Sequence, residues 1–163
     1  MTPIQNCIKN KNTRINPIWI MRQAGRYLPE FREIRAKNTD FIKLCLNESL
    51  STEITLQPIK RFNFDAAIIF SDILMLPFGL GQEVKFQKGL GPKLGELNLD
   101  IIESVSKDEF TKKLNPIYKS ISNISTNPIC KNKDIIGFVG APWTILVYMI
   151  NKISPKKNLS KEI

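Results

Sequence analysis

The stretch "DAAIIFSD", residues 65–72, is a continuous apolar run that ends in a polar pair. An uninterrupted run of this length is typical of a strand that is buried on both faces of a sheet. Ser71 and Asp72 follow directly, at the point where such a strand reaches its carboxyl end. The stretch therefore predicts a buried strand over 65–70 that leads into a polar loop.

The same order recurs on both sides of this stretch. Residues 18–21, "IWIM", are a short apolar run followed by "RQAGR", and residues 135–139, "IIGFV", are followed by "GAPW". Polar or small residues thus follow a predicted buried strand three times. Because functional residues of parallel sheets gather beyond the carboxyl ends of the strands, the sequence predicts one shared site there.

Helical signals separate the predicted strands, which favours an α/β fold with a parallel sheet, open or closed. One helix is predicted to begin at the cap Asn47 and to turn Leu50, Ile54 and Ile59 inward, with Pro58 bending or shortening it. The glycine-rich residues 78–97 predict a loop with a short hairpin around 83–87. The other predicted elements are helices over 30–37 and 142–150 and a polar helix within 107–123 after the cap Ser106.

Composition excludes several classes of protein. The net charge of +9 is typical of proteins that bind nucleic acids. However, the cations are mostly lysines spread along the chain, and no nucleic-acid-binding motif is present, so we expect no nucleic-acid partner. No apolar run approaches the ~20 residues of a membrane span, and the amino terminus lacks a signal-peptide pattern. Three cysteines without a C-x-x-C pair argue against disulfides and cysteine zinc sites. A cytoplasmic protein is expected.

The chain contains no histidine, which removes imidazole bases, Ser-His-Asp triads and histidine metal sites. The glycine pairs at 79–81 and 89–91 complete no phosphate-binding motif. Four of the six arginines lie within 21–35. Because the arginine fork pairs with carboxylates and phosphates, an anionic ligand with several acidic groups is indicated. Alternatively, Arg22 and Arg26 are solvated or salt-bridged surface charges near Glu30 and Glu33.

Three long segments resemble signature segments of the uroporphyrinogen decarboxylase family. They are "PIWIMRQAGRYLPEFREIR" at 17–35, "LQPIKRFNFDAAIIFSDIL" at 56–74 and "GFVGAPWTILVYM" at 137–149. The resemblance implies a TIM (β/α)₈ barrel that acts on uroporphyrinogen, a cyclic tetrapyrrole with a rim of carboxylates. Such enzymes remove carbon dioxide from the acetate side chains, giving coproporphyrinogen, without a metal or organic cofactor. It also implies a homodimer.

The resemblance assigns roles to particular residues. Arg22 and Arg26 match arginines that grip rim carboxylates, and Asp72 matches the aspartate that accepts hydrogen bonds from the pyrrole N–H groups. Asp72 and Arg26 are the expected catalytic residues, although the identity of the proton donor stays open. The remaining substrate-binding matches are Gln23, Ala24 and Gly25, which form a backbone wall, together with Arg35 and Tyr148.

Two of these residues have simpler interpretations. Asp72 is also well placed to cap a helical turn that begins at Ile73. Tyr148 lies in the apolar run "ILVYMI" and is compatible with core packing.

The chain is also shorter than the fold that the resemblance implies, since a (β/α)₈ barrel needs roughly 250 residues. We therefore expect the amino-terminal half of one barrel domain over 1–163, with a divergent tail over 151–163. The other half would belong to a longer chain or to a separate carboxyl-terminal polypeptide. Two alternatives are an inactive truncated remnant and a corrinoid-linked methyltransferase, whose zinc site would need histidine and cysteine.

Overall fold

The computed structural model describes residues 1–10, 16–87 and 89–154. These residues form a mixed α/β structure, as the sequence predicts, in two compact units. In chain order the elements are α1 (Pro3–Asn10), α2 (Pro29–Lys37), α3 (Phe41–Cys45), α4 (Glu48–Phe62), β1 (Ala66–Ile68), α5 (Met75–Gly79), β2 (Val84–Gln87), β3 (Gly91–Leu94), α6 (Leu99–Ser104), α7 (Lys107–Thr126), a 3₁₀-helix (Pro128–Cys130), β4 (Asp134–Ile136) and α8 (Pro142–Asn151).

The first unit, residues 1–39, 44–71 and 116–138, contains the parallel strands β1 and β4. Ala66 pairs with Asp134, and the amide of Ile69 continues the pairing by donating to the carbonyl of Ile136 at 3.0 Å. The parallel pair confirms the strand predicted within 65–70. β4 overlaps the strand predicted over 135–139 only at Ile135 and Ile136, which are half-buried, and Phe138 and Val139 are exposed, so the predicted burial of that run is wrong. Both strands are shorter than predicted.

The core of this unit lies between β1 and helices α4 and α7. Ala66 and Ala67 of β1 are fully buried, and Ala67 lies in the cluster that includes Leu56 and Ile59 of α4. Burial of aliphatic side chains here, at about 25 cal/mol per Å² of apolar surface, is the main source of stability. The buried members of this cluster are Leu56, Ile59, Ala67, Ile69, Ile124 and Cys130.

Helix α4 begins as the sequence predicts. The side chain of Asn47 accepts a hydrogen bond from the Leu50 amide at 2.9 Å, and Asn63 closes the helix in the left-handed region at φ 53°. The expectation that Pro58 shortens the helix is wrong, because α4 runs on to Phe62, whereas the expected bend stays a prediction. Proline removes one backbone hydrogen bond, and the fully buried ring of Pro58 packs in the interior.

The prediction of a buried strand over 18–21 is also wrong. All four side chains are exposed, by 41% to 72%. The first residue of this segment binds the residue before β1: the Ile18 amide donates to the Asp65 carboxylate at 2.7 Å, and the Asp65 amide donates to the Ile18 carbonyl at 2.9 Å. Among the described residues no helix layer covers this segment, so an apolar run of strand type remains at the surface.

The second unit, described over residues 40–43, 72–87, 89–115 and 139–154, contains the antiparallel hairpin of β2 and β3. It confirms the hairpin predicted around 83–87. Gly89 and Gly91 have φ angles of 81° and 87°, which glycine adopts without strain. Residues 155–163, most of the predicted tail, lie outside the described residues.

Helices α7 and α8 begin where the sequence predicts. The Ser106 hydroxyl accepts from the Glu109 amide at 3.2 Å, and the Glu109 carboxylate accepts from the Ser106 amide at 2.9 Å, which is a capping box. Pro142 starts α8 in its first turn. None of the helices in the described parts of the chain is both long and apolar enough to cross a bilayer.

The cap of α4 can be tested directly. Replacing Asn47 with Ala removes the acceptor for the Leu50 amide, and we expect the free energy of unfolding to fall by about 1 kcal/mol. Asn47→Asp keeps an acceptor oxygen and serves as the matched control. Urea denaturation followed by circular dichroism measures both variants. An unchanged midpoint for Asn47→Ala would contradict the capping role.

Candidate functional site

The "RQAGR" segment, residues 22–26, is tied to β1 through Gln23. This side chain is 1% exposed, and its amide nitrogen donates to the Ala66 carbonyl at 3.0 Å. The Tyr27 hydroxyl donates to the Gln23 carbonyl, and the Leu28 amide donates to the Gly25 carbonyl at 3.0 Å. The loop therefore has a fixed backbone.

Arg22 and Arg26 are exposed on this fixed loop. Glu30, one proposed surface partner, instead forms a bidentate pair with Arg61 at 3.1 and 2.9 Å. This pair lowers the pKa of the Glu30 carboxyl, chiefly through the Arg61 hydrogen bonds. Within the described residues neither loop arginine forms an ion pair. Their guanidinium groups are therefore open to an external anion.

The other predicted residues of the first unit have structural contacts as well. Arg35 lies in the last turn of α2, is half-buried and donates to the Asn38 carbonyl, so its guanidinium is less open than those of the loop. Ala24 is half-buried and packs against a cluster that includes Leu28 and Phe31.

Asp72 begins the segment 72–115 of the second unit and is half-buried. One carboxylate oxygen accepts from the Leu74 amide at 2.8 Å, and its carbonyl accepts from the Met75 amide at 3.1 Å. These bonds confirm that Asp72 caps the turn before α5. Burial raises the pKa of the Asp72 carboxyl above its ordinary value, and the bond from Leu74 offsets only part of that effect.

Gly140 lies against Ile73, the residue after Asp72. A Cβ atom at position 140 would stand 3.2 Å from the Ile73 Cβ and 2.4 Å from the Ile145 Cδ1, so the backbone approaches closely at this point. Tyr148 is half-buried in α8, and its hydroxyl lies 3.3 Å from the Ser154 hydroxyl. It is therefore not a fully buried core residue.

The two units divide the predicted site residues. The first holds Arg22, Gln23, Ala24, Gly25, Arg26 and Arg35, and the second holds Asp72 and Tyr148. Their meeting at one site stays a prediction. No group of three His, Cys, Asp or Glu side chains that could hold a metal ion occurs in the described ranges.

Sequence reasoning missed two buried hydroxyls on α4. Ser51 and Thr55 are 0% and 1% exposed and bind the backbone of Phe70, two residues before Asp72. Their spacing of four residues on an otherwise apolar helix face was the available signal.

A family model described as uroporphyrinogen decarboxylase matches residues 1–161. This match extends beyond the three segments on both sides. The chain belongs to the uroporphyrinogen decarboxylase family. It is similar to proteins named uroporphyrinogen decarboxylase from Chelativorans sp., Brucella anthropi and Brucella ovis, each 46% identical over 134 residues.

That similarity covers 82% of this chain and 39% of each relative. The chain thus matches well under half the length of these uroporphyrinogen decarboxylases.

The raised pKa of Asp72 predicts a dependence of stability on pH. The folded state favours the protonated carboxyl, so its ionisation costs stability once the pH rises from the ordinary Asp pKa of ~3.9 through the raised folded value. Asp72→Asn keeps an oxygen for the Leu74 amide and removes the charge. We therefore expect Asp72→Asn to be more stable than the wild type at pH 7, and this advantage to disappear below pH ~4.

Urea denaturation of both proteins at the two pH values measures this effect. Asp72→Ala, which removes both the charge and the cap, separates the two contributions. A less stable Asp72→Asn variant at pH 7 would mean that the carboxylate is stabilised by its surroundings, against the burial argument.

Proposed function

We propose that this chain is the amino-terminal part of a uroporphyrinogen decarboxylase. The enzyme would remove carbon dioxide from the acetate side chains of uroporphyrinogen, leave methyl groups, and give coproporphyrinogen in haem biosynthesis. The observation that carries this proposal is the fixed "RQAGR" loop with two open guanidinium groups, in a chain of this family. The relatives are named decarboxylases, which favours this activity over methyl transfer.

Arg22 and Arg26 would bind carboxylates on the rim of the macrocycle. A guanidinium group donates two parallel hydrogen bonds to a carboxylate, which gives orientation as well as affinity. Gln23, Ala24 and Gly25 would form the backbone wall between the arginines. The buried bond from Gln23 to Ala66 supports this role, because a fixed loop loses little conformational entropy on binding.

Asp72 would act on the pyrrole nitrogens. Protonation of a pyrrole carbon produces a delocalised cation, into which the electrons of the breaking carbon–carbon bond flow as carbon dioxide leaves. A carboxylate near the pyrrole N–H groups stabilises this cation more than the neutral substrate, which lowers the barrier. The half-buried position of Asp72 supports the role, because a partly desolvated charge interacts more strongly.

Arg26 is the proposed residue for proton delivery. Since its own pKa lies above ~12, a water molecule or a substrate carboxylate would relay the proton. Arg35 and Tyr148 would contact further substrate groups. No metal or organic cofactor is part of this mechanism.

The proposed fold is the first half of a (β/α)₈ barrel, over residues 1–163. The apolar side chains Trp143 and Leu146 of α8 are 60% and 43% exposed, which supports a further layer of protein over this face. That layer would come from the rest of a longer chain or from a separate carboxyl-terminal half. We further propose a cytoplasmic homodimer for the complete enzyme.

A chimeric enzyme tests the proposed activity. The part of this chain that matches the Chelativorans relative would replace the corresponding part of that protein. We expect the chimera to release carbon dioxide from uroporphyrinogen and to form coproporphyrinogen. A folded chimera without activity would contradict the proposal.

In this chimera, Arg22→Ala and Arg26→Ala should each weaken substrate binding by about 1.5–3 kcal/mol, the cost of a lost charge-assisted hydrogen bond. Lys60→Ala removes one positive charge from the exposed end of α4 and is the matched control. Binding measured at two salt concentrations should weaken with salt for the wild type. If the arginine variants bound the substrate as tightly as the Lys60→Ala control, both arginines would be surface charges without a role in binding.

Asp72→Asn should mainly reduce turnover in the chimera, by ~10²–10³-fold, because it removes one preorganised electrostatic partner of the cation. Asp72→Glu keeps the charge and should retain partial activity. Carbon dioxide release under saturating substrate measures both variants. If capping were the only role, Asp72→Asn would work at the wild-type rate, since Asn caps about as well as Asp.

A further inference from the structure

Two hydroxyl groups of α4 hold the backbone of Phe70 from both sides. The Phe70 amide donates to the Thr55 hydroxyl at 2.9 Å, and the Phe70 carbonyl accepts from the Ser51 hydroxyl at 2.9 Å. We name this arrangement of Ser51, Thr55 and Phe70 the hydroxyl clamp. It satisfies both backbone groups at a point where β1 has ended and the last bond to β4 is that of Ile69.

The hydroxyl clamp is part of a buried network in which each hydroxyl group forms hydrogen bonds. Thr55 also donates to the Ser51 carbonyl at 2.8 Å. Ser51 also accepts from the Ser120 hydroxyl of α7 at 3.2 Å. All three hydroxyl residues are at most 1% exposed, so water does not compete for these bonds. A buried network with satisfied members fixes a unique geometry.

The clamp lies two residues before Asp72. Two peptide units span at most ~7 Å, so fixing Phe70 restricts where the Asp72 backbone can go. On the other side, the Leu74 amide donates to the Asp72 carboxylate at 2.8 Å. We propose that Ser51 and Thr55 are positioning residues that hold the strand exit so that the Asp72 carboxylate keeps its half-buried place. The value of this placement for turnover rests on the proposed function, but the placement itself does not.

The experiment compares Thr55→Val with Thr55→Ser in the 163-residue chain. Valine keeps the shape and removes the acceptor for the Phe70 amide, whereas serine keeps the hydroxyl. Hydrogen exchange of the Phe70 amide reports the clamp, and a ¹³C NMR titration of the Asp72 carboxyl reports its surroundings. A role confined to overall stability would leave the pKa of Asp72 in the folded protein unchanged.

We expect Thr55→Val to speed exchange at Phe70 by roughly tenfold or more, since an unpaired buried amide favours local opening. It should also lower the pKa of Asp72 towards its ordinary value as the carboxyl gains solvent. Thr55→Ser should restore both. An unchanged pKa in a folded Thr55→Val protein with fast Phe70 exchange would overturn the proposal.

Two further variants keep the test decisive. Ser51→Ala removes only the bond to the Phe70 carbonyl, and it replaces Thr55→Val if that protein does not fold. We expect Ser51→Ala to lower the pKa of Asp72 as well. An unchanged pKa in this variant would also overturn the proposal. Ser120→Ala removes the outer hydroxyl of the network and leaves the clamp itself, so it should leave Asp72 unchanged.

The chimeric enzyme connects the clamp to turnover. If the clamp acts through Asp72, Thr55→Val and Asp72→Asn should be non-additive in turnover, with the double variant about as slow as Asp72→Asn alone. If the loss of turnover in the double variant were the product of the losses in the two single variants, the clamp would not act through Asp72. An inactive wild-type chimera would count against the proposed function, while the NMR titration would still decide the placement.

Discussion

The packing of α4 against β1 is the contact on which the rest of the first unit depends. Ala67 of the strand packs in one buried cluster with Leu56 and Ile59 of the helix, and Ala66 is fully buried beside it in the chain. Because the layers are close, polar groups can reach across at the strand ends. The Gln23 side chain binds the carbonyl of Ala66, and the α4 hydroxyls bind Phe70 beyond the other end. Hydrogen bonds from the 22–26 loop at one end and from α4 at the other thus hold the two ends of the same strand.

Local signals predicted the parts of the fold whose causes are local. Asn47 and Ser106 were recognised as caps because a short polar side chain before a helical pattern satisfies free amides wherever the helix lies. The apolar run at 65–70 was recognised as a strand for a similar reason. The run at 18–21 carries the same local signal, yet its side chains are exposed. Burial is set by what covers a segment, and composition does not contain that information.

The short helices were missed because they are shorter than the periodic pattern that reveals a helix. Helix α5 spans Met75–Gly79, and α6 spans Leu99–Ser104, so neither completes two full turns. Among the site residues, the clustering of arginines was visible in the sequence. The pairing of Arg61 with Glu30 was not, because these residues are far apart in the chain and meet through the packing of α2 on α4. That pairing occupies the Glu30 carboxylate, and among the described residues neither loop arginine forms an ion pair.

The capping bond of Asp72 does not argue against a role in chemistry. Only one of its carboxylate oxygens accepts from Leu74, and the other has no hydrogen-bond donor among the described residues. The cap fixes the direction of the carboxylate, and the second oxygen is then available to a ligand. Burial of this charge without a cation disfavours the ionised form. A cationic intermediate beside the carboxylate would reverse that effect. The burial that costs stability in the free protein would therefore stabilise charge separation in the proposed reaction.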